Sequence, residues 1–154
     1  MRVRPMTEQD ADEVSALCID VFLKSVAPYL AETGVENFCK VAAPENLISR
    51  LTGGNVILLM EDSRRITGVV ELREGRHVAI FFVASDCQRR GVGRRLMSAL
   101  SEYMRADVIT VNASLNSVAA YEHYGFACSG EVAESDGLIY QPMQAKRERL
   151  MSLT

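Results

Sequence analysis

One stretch limits the choice of fold more than any other. The run Val78-Ala79-Ile80-Phe81-Phe82-Val83 is apolar at every position, and four residues later comes Gln88-Arg89-Arg90-Gly91-Val92-Gly93-Arg94-Arg95. A short strand with no polar alternation is buried on both faces, so the run belongs at the centre of a sheet. Val92, Leu96, Ala99, Leu100 and Tyr103 then recur at helical spacing. The passage therefore reads as central strand, glycine-rich turn and amphipathic helix. Two glycines at i and i+2 let backbone approach a ligand closely, and the first helical amides have no partners of their own. With the positive end of the helix dipole they make an anion site.

Composition sharpens this local reading. The chain has 154 residues, 17 Lys and Arg against 20 Asp and Glu, and a net charge of −3, so nothing global draws it to nucleic acid or to an anionic membrane. Yet four of the 17 basic residues, Arg89, Arg90, Arg94 and Arg95, fall within this one loop. A polyphosphate is the expected ligand. No GxxxxGK[ST] string occurs, and Leu96 stands where a dinucleotide fingerprint GxGxxG needs its third glycine.

The rest of the chain supplies a mixed α/β frame. Thr7 with Glu8, Gln9 and Asp10 signals a helix start, and helix spacing runs from about residue 8 to Pro28. A second, broken helical segment spans residues 34–51, with Pro44 opening its last part. Strands at 56–60, 66–73 and 77–83, with turns at Asp62-Ser63 and Glu74-Gly75, form an antiparallel meander. After the loop and its helix come a strand at 108–111, a helix at 117–124 that stops at Gly125, and a hairpin of 126–133 and 138–143 turning at Ser135-Asp136-Gly137. Residues 1–144 read as one domain and 145–154 as a charged, fraying tail. No apolar run reaches 18 residues, so no membrane span is expected. The four cysteines (Cys18, Cys39, Cys87, Cys128) form no CxxC pair, and with two histidines they offer no metal-ligand spacing. The first ten residues lack an apolar leader, so reduced thiols in a cytoplasmic protein are expected.

QRRGVG, immediately after the central strand, resembles the acyl-CoA signature of the GCN5-related N-acetyltransferase (GNAT) superfamily. Tyr121-Glu122-His123-Tyr124-Gly125-Phe126 is similar to its late-helix YxxxGF. The order β, α, α, meander, then loop-helix-strand-helix-strand is also the family's, over nearly residues 1–144. The strings ITVNAS and DGLIYQPM are similar to a bacterial branch of small acetyltransferases. The resemblance implies a GNAT fold: a mixed, mostly antiparallel sheet of about six or seven strands, flanked by about four helices, with two strands splayed for acyl-CoA. It implies acetyl-CoA as co-substrate, with pyrophosphate on the backbone of Arg89, Arg90, Gly91, Val92, Gly93 and Arg94, and Gln88 shaping the loop. Backbone groups of Phe82 and Val83 would meet the pantetheine arm, with Asn112, Ser114 or Asn116 on the other side.

Acetyl transfer needs a neutral amine, a polarised carbonyl and a protonated leaving thiol. By motif register Tyr121 is the general acid and Tyr124 a packing residue. A base, or a carboxylate routing protons through water, is sought in Glu71 or in His77, which has the suitable ordinary pKa. Cys87 sits beside a basic loop, but no His/Asn pattern supports covalent catalysis. The expected activity is N-acetylation of a small-molecule or protein amine, with no metal and with a homodimer as an open option. A catalytically silent CoA-binding module of the same fold is the alternative. Glu32, Glu36 and Asp136 are expected near the acceptor, where they would favour a cationic amine.

Overall fold

Residues 78–83 do lie in the middle of the sheet, as their two-sided hydrophobicity requires. The computed structural model describes residues 1–153 and orders the strands β1-β2-β3-β4-β5-β8-β6, with β7 pairing with β8. The strands are β1 (Arg2–Pro5), β2 (Val56–Asp62), β3 (Arg65–Arg73), β4 (His77–Val83), β5 (Val108–Ala113), β6 (Ala127–Cys128), β7 (Ala133–Ser135) and β8 (Leu138–Lys146). Among the described residues the helices are α1 (Ala11–Ser25), α2 (Glu32–Val41), α3 (Pro44–Thr52), α4 (Val92–Ser101), α5 (Val118–Tyr124) and α6 (Arg147–Met151). Every strand pair is antiparallel except β4 with β5. None of these helices is long and apolar enough to cross a membrane.

Two cores fill the two faces of the sheet. On one, Leu96, Met97 and Leu100 of α4 pack on Leu58, Val70, Val111 and Met143. On the other, Val14, Cys18 and Phe22 of α1, Phe38 of α2 and Leu47 of α3 cover Ile57, Leu59, Val69 and Ile80. Strand β4 serves both because of a bulge. Leu72 opposes Val78 and Glu71 opposes Ile80, which leaves Ala79 without a partner on β3. An extra residue bends a strand and changes its twist. The β4–β5 ladder ends at the same point: His77 pairs with Thr110 and Val78 with Val111, and no later pair forms. From Ala79 to Val83 the two strands diverge.

The sheet holds eight strands where six or seven are expected, and six α-helices where about four are, because two segments depart from their sequence pattern. The first strand of the last hairpin breaks into β6 and β7, which face different parts of β8. Pro142 lies between those parts; it has no amide hydrogen to extend the ladder. The charged tail does not fray. Ala145 and Lys146 continue β8, α6 follows, and Leu150 is fully buried in the α4-side core. Its charge pattern hides the apolar anchor: Arg147, Glu148 and Arg149 precede Leu150, and Ala145 and Leu153 pack in the same core.

Candidate active site

The diverging strands open into a cleft of about 1000 Å³, which runs from the first turn of α4 to the β7–β8 hairpin. Alternate amides and carbonyls of Ala79–Val83 face this gap, because backbone polar groups of a strand point to both sides and β5 no longer supplies partners on one of them. An extended, amide-bearing ligand can satisfy such groups.

At one end of the cleft is the loop before α4. Arg89 and Gly91 both take left-handed backbone, at φ 64° and 80°, and turn the chain sharply. The first bond of the helical ladder runs from the Arg95 amide to the Gly91 carbonyl at 3.0 Å, so the amides of Val92, Gly93 and Arg94 stand ahead of it. Gln88 ties the loop back to β4 by donating from Nε2 to the Val83 carbonyl at 3.3 Å. A Cβ on Gly93 would collide with the Tyr124 hydroxyl and come within 3.1 Å of Phe81 Cζ. The absent side chain at Gly93 lets Tyr124 and Phe81 pack directly against the first turn of α4. The four arginines are not equivalent. Arg89 and Arg94 line the cleft, and Arg94 approaches His123 Nε2 at 3.1 Å. Arg90 does not line it, and Arg95 turns away to the Met1 carbonyl at 3.4 Å. The resemblance implies a backbone role for Arg90, but of residues 88–94 it alone does not line the cleft.

Across the gap the polar groups of β5 and its loop are already sorted. Ser114 Oγ is 2.8 Å from Ser117 Oγ, and Asn116 donates from Nδ2 to the Ser25 carbonyl at 2.7 Å. The Asn112 amide makes no hydrogen bond among the described residues and lines the cleft. Asn116 thus straps the β5–α5 loop to the end of α1.

Tyr121 lies beneath the gap, its ring 5.9 Å from that of Phe81 and 5.5 Å from that of Phe126. Only 8% of the residue is exposed, yet no buried polar atom lacks a partner, so the hydroxyl, which bonds no protein group, opens into the cleft. Burial drives its pKa above the ordinary tyrosine value and keeps it protonated at neutral pH. Tyr124 is half-buried; burial raises its pKa and the Arg94 charge opposes the rise.

Glu71 and His77 lie at the other end, and their environments differ sharply. Glu71 is fully buried. Its Oε2 accepts from Arg50 Nε at 2.8 Å and Asn55 Nδ2 at 2.7 Å, and Oε1 accepts from Arg50 Nη2 at 3.2 Å. His77 is half-buried, with Nδ1 2.8 Å from Thr110 Oγ1. Burial, and then the charges of Arg73 and Arg76, lower its pKa from the ordinary histidine value. Phe22, Phe38 and Phe82 wall this half: the first two stack at 4.0 Å and the last pair meet edge-on at 5.6 Å. The hairpin tip roofs it, with Asn37 Nδ2 donating to the Asp136 carbonyl at 2.7 Å. Asp136 lines the cleft, but Glu32 and Glu36 do not. Sequence reasoning passed over Arg50, Asn55 and Arg73, which carry no motif and come together only through the packing of α3 on β3. Cys87 is buried beside the Arg65–Asp86 ion pair, its Sγ 3.7 Å from Arg65 Nη1.

The fold is that of several solved structures. A GCN5-related N-acetyltransferase from Rhodopseudomonas palustris matches with TM-score 0.82 at 21% identity, over 94% of each chain. The PaiA N-acetyltransferase from Thermoplasma acidophilum, solved in complex with coenzyme A, matches with TM-score 0.75 at 15% identity, over 94% of this chain and 98% of that one. A ribosomal-protein-alanine N-acetyltransferase from Brucella melitensis matches with TM-score 0.67 at 24% identity, over 95% and 99%. No curated protein sequence matches the chain. The family model described as "Acetyltransferase (GNAT) domain" matches residues 26–147, from the end of α1 to the start of α6. With that match spanning the splayed strands, the α4 loop and Tyr121, the chain belongs to the GNAT acetyltransferase family.

Proposed function

We propose that the chain is an acetyl-CoA-dependent N-acetyltransferase that passes the acetyl group directly to a primary amine of a small molecule or protein. The observation that carries this reading is that one cleft joins three things: free loop amides, an unpaired strand edge and a protonated, partnerless tyrosine hydroxyl. The residues present fit acetyl-CoA: an amide-lined turn for pyrophosphate, and a strand edge matched to pantetheine amides. When bound, acetyl-CoA supplies an activated thioester. The backbone of Ala79–Val83 and the Asn112 amide orient the arm between them.

As the amine nitrogen bonds the carbonyl carbon, His77, directly or through water, takes the proton that the amine sheds. Tyr121 donates its proton to the departing sulfur as the C–S bond breaks. The lowered pKa keeps His77 neutral and able to accept a proton at neutral pH, and Tyr121 is protonated there and so has one to donate. Glu71, with both oxygens occupied, acts as a brace that holds α3 on β3 and not as a base. The test is Tyr121→Phe, assayed by thiol release from acetyl-CoA with a panel of amines. General acid catalysis is worth about 10²–10⁴-fold, so kcat is expected to fall by about 100-fold or more with CoA affinity kept. Unchanged kcat would remove Tyr121 from the mechanism. CoA binding with no thiol release for any amine would identify a silent CoA-binding module instead.

A further inference from the structure

The charges at the acceptor end of the cleft differ from what the acidic residues of the sequence suggest. A polyamine or a lysine-rich peptide needs carboxylates to hold its spare cations. Of the three acidic residues expected there, Glu32 and Glu36 do not line the cleft, and Asp136 stands at its roof on the hairpin tip. The remaining carboxylate, Glu71, is fully buried and saturated by Arg50 and Asn55, so it is closed to a ligand. Arg50 is spent as well: besides Glu71, its Nη1 donates to the Val41 carbonyl at 2.9 Å.

One cation at this end remains unpaired. Arg73, at the end of β3, is exposed, lines the cleft and makes no ion pair or hydrogen bond among the described residues. It lies opposite His77 in the β3–β4 ladder, and its charge acts on that imidazole. Farther along the same cleft the lining is apolar, with Phe38 stacked on Phe22 and edge-on to Phe82, whose partner Val69 lies four residues before Arg73 on β3. A guanidinium facing a cleft, with its neighbouring arginine neutralised and an aromatic wall farther along, is built to take a planar anionic group attached to an apolar body.

We propose that the amine accepted by this enzyme also carries a carboxylate, held by Arg73, and an apolar body that packs on the Phe38 wall. The proposal rests on the acetyltransferase reading and names the acceptor class of the same site. Arg73 is a binding residue that recognises the acceptor away from the reacting nitrogen. Strands rise about 3.3 Å per residue, and His77 lies before the point where the β4–β5 ladder ends. Because Val78 is still paired, the gap begins at Ala79, two residues beyond His77; the carboxylate and the amine are therefore separated along the acceptor, and a cationic tail in place of the carboxylate would be repelled.

The test compares 5-aminopentanoate, 6-aminohexanoate and 4-(aminomethyl)benzoate, each against its own carboxamide, in wild type, Arg73→Gln and Arg73→Lys. The ratio of kcat/KM for acid over amide is the readout. Both members of a pair meet the same His77, so any change in its basicity cancels. In wild type the ratio for at least one pair is expected to exceed tenfold, to fall by at least tenfold in Arg73→Gln, and to recover in part in Arg73→Lys. A ratio near one in wild type for all pairs, or one untouched by Arg73→Gln, overturns the proposal. Titration calorimetry of the same acids and amides into the CoA-loaded protein covers the case of no turnover. Acid-selective binding lost in Arg73→Gln, without thiol release, would refute acetyl transfer and leave the recognition intact. Binding that favours neither acid nor amide would refute the recognition.

Discussion

A carboxylate that serves as a base must be open to the group that gives up the proton, and Glu71 is buried under three donors. Arg50 and Asn55 occupy both oxygens, and the group is sealed from solvent. His77 differs in the property that matters. Its Nδ1 engages Thr110, so when that nitrogen carries the proton, Nε2 is free to accept another. Burial first, and Arg73 and Arg76 second, hold its pKa below 6.5. The base form is thus present at neutral pH and is lost on acidification. The acid limb of kcat/KM is expected below pH 6.5, and His77→Gln should lower kcat/KM and abolish that limb, as read from pH–rate profiles. A limb that survives in the variant would assign the base elsewhere. Stability follows the same sign: the unfolded chain takes up the proton near 6.5 and the folded one only at lower pH, so the folded state loses stability as pH falls below 6.5.

At the scale of elements, the site is a product of three local events along β4 and the loop that follows it. The Ala79 bulge bends the strand, the β5 ladder stops at Val78, and the left-handed residues Arg89 and Gly91 aim the loop amides back toward the gap. Gly93 completes the set because Tyr124 of α5 rests over it. Gly93→Ala must displace Tyr124 and crowd Phe81, which pushes α5 away from the first turn of α4. The KM for acetyl-CoA is expected to rise at least tenfold while the unfolding midpoint moves little, since an alanine in a helix is otherwise favourable. An unchanged KM would show that the Tyr124 corner lies outside the ligand path. Much of this was legible in residues 78–95, where strand, glycines and arginines adjoin in sequence. The bulge was not, because a bulge is a misfit between two strands, and neither strand records it alone.

At the scale of the whole molecule, the α4-side core takes in the last helix of the chain. Leu150 is fully buried in the α4-side core although its neighbours are charged. Leu150→Ala removes a side chain that the sheet and α4 enclose, and it should cost about 2–5 kcal/mol, read as a lower urea midpoint with unchanged slope. A change below about 0.5 kcal/mol would return the tail to the fraying state its composition suggests. Periodicity cannot detect such an anchor, because one apolar residue in a charged run has no period. For the same reason Arg50, Asn55 and Arg73 could not be grouped in advance: they are separated by up to 23 positions and meet only where α3 lies on β3.

By itself the sequence determined the central strand, the glycine-rich turn and the helix after it, the meander, and the tyrosine motif before Gly125. Each is a local pattern, set by side-chain period or by the backbone freedom of glycine, and local physics suffices to read it. Only the tertiary structure decided which candidates can act. It closed Glu71 inside an ion pair, left His77 and Asn112 facing the gap, turned Arg95 outward, and left Arg73 as the unpaired cation at the acceptor end of the cleft. Those outcomes depend on burial and on partners distant in the chain, and charge or basicity in a protein is set by both.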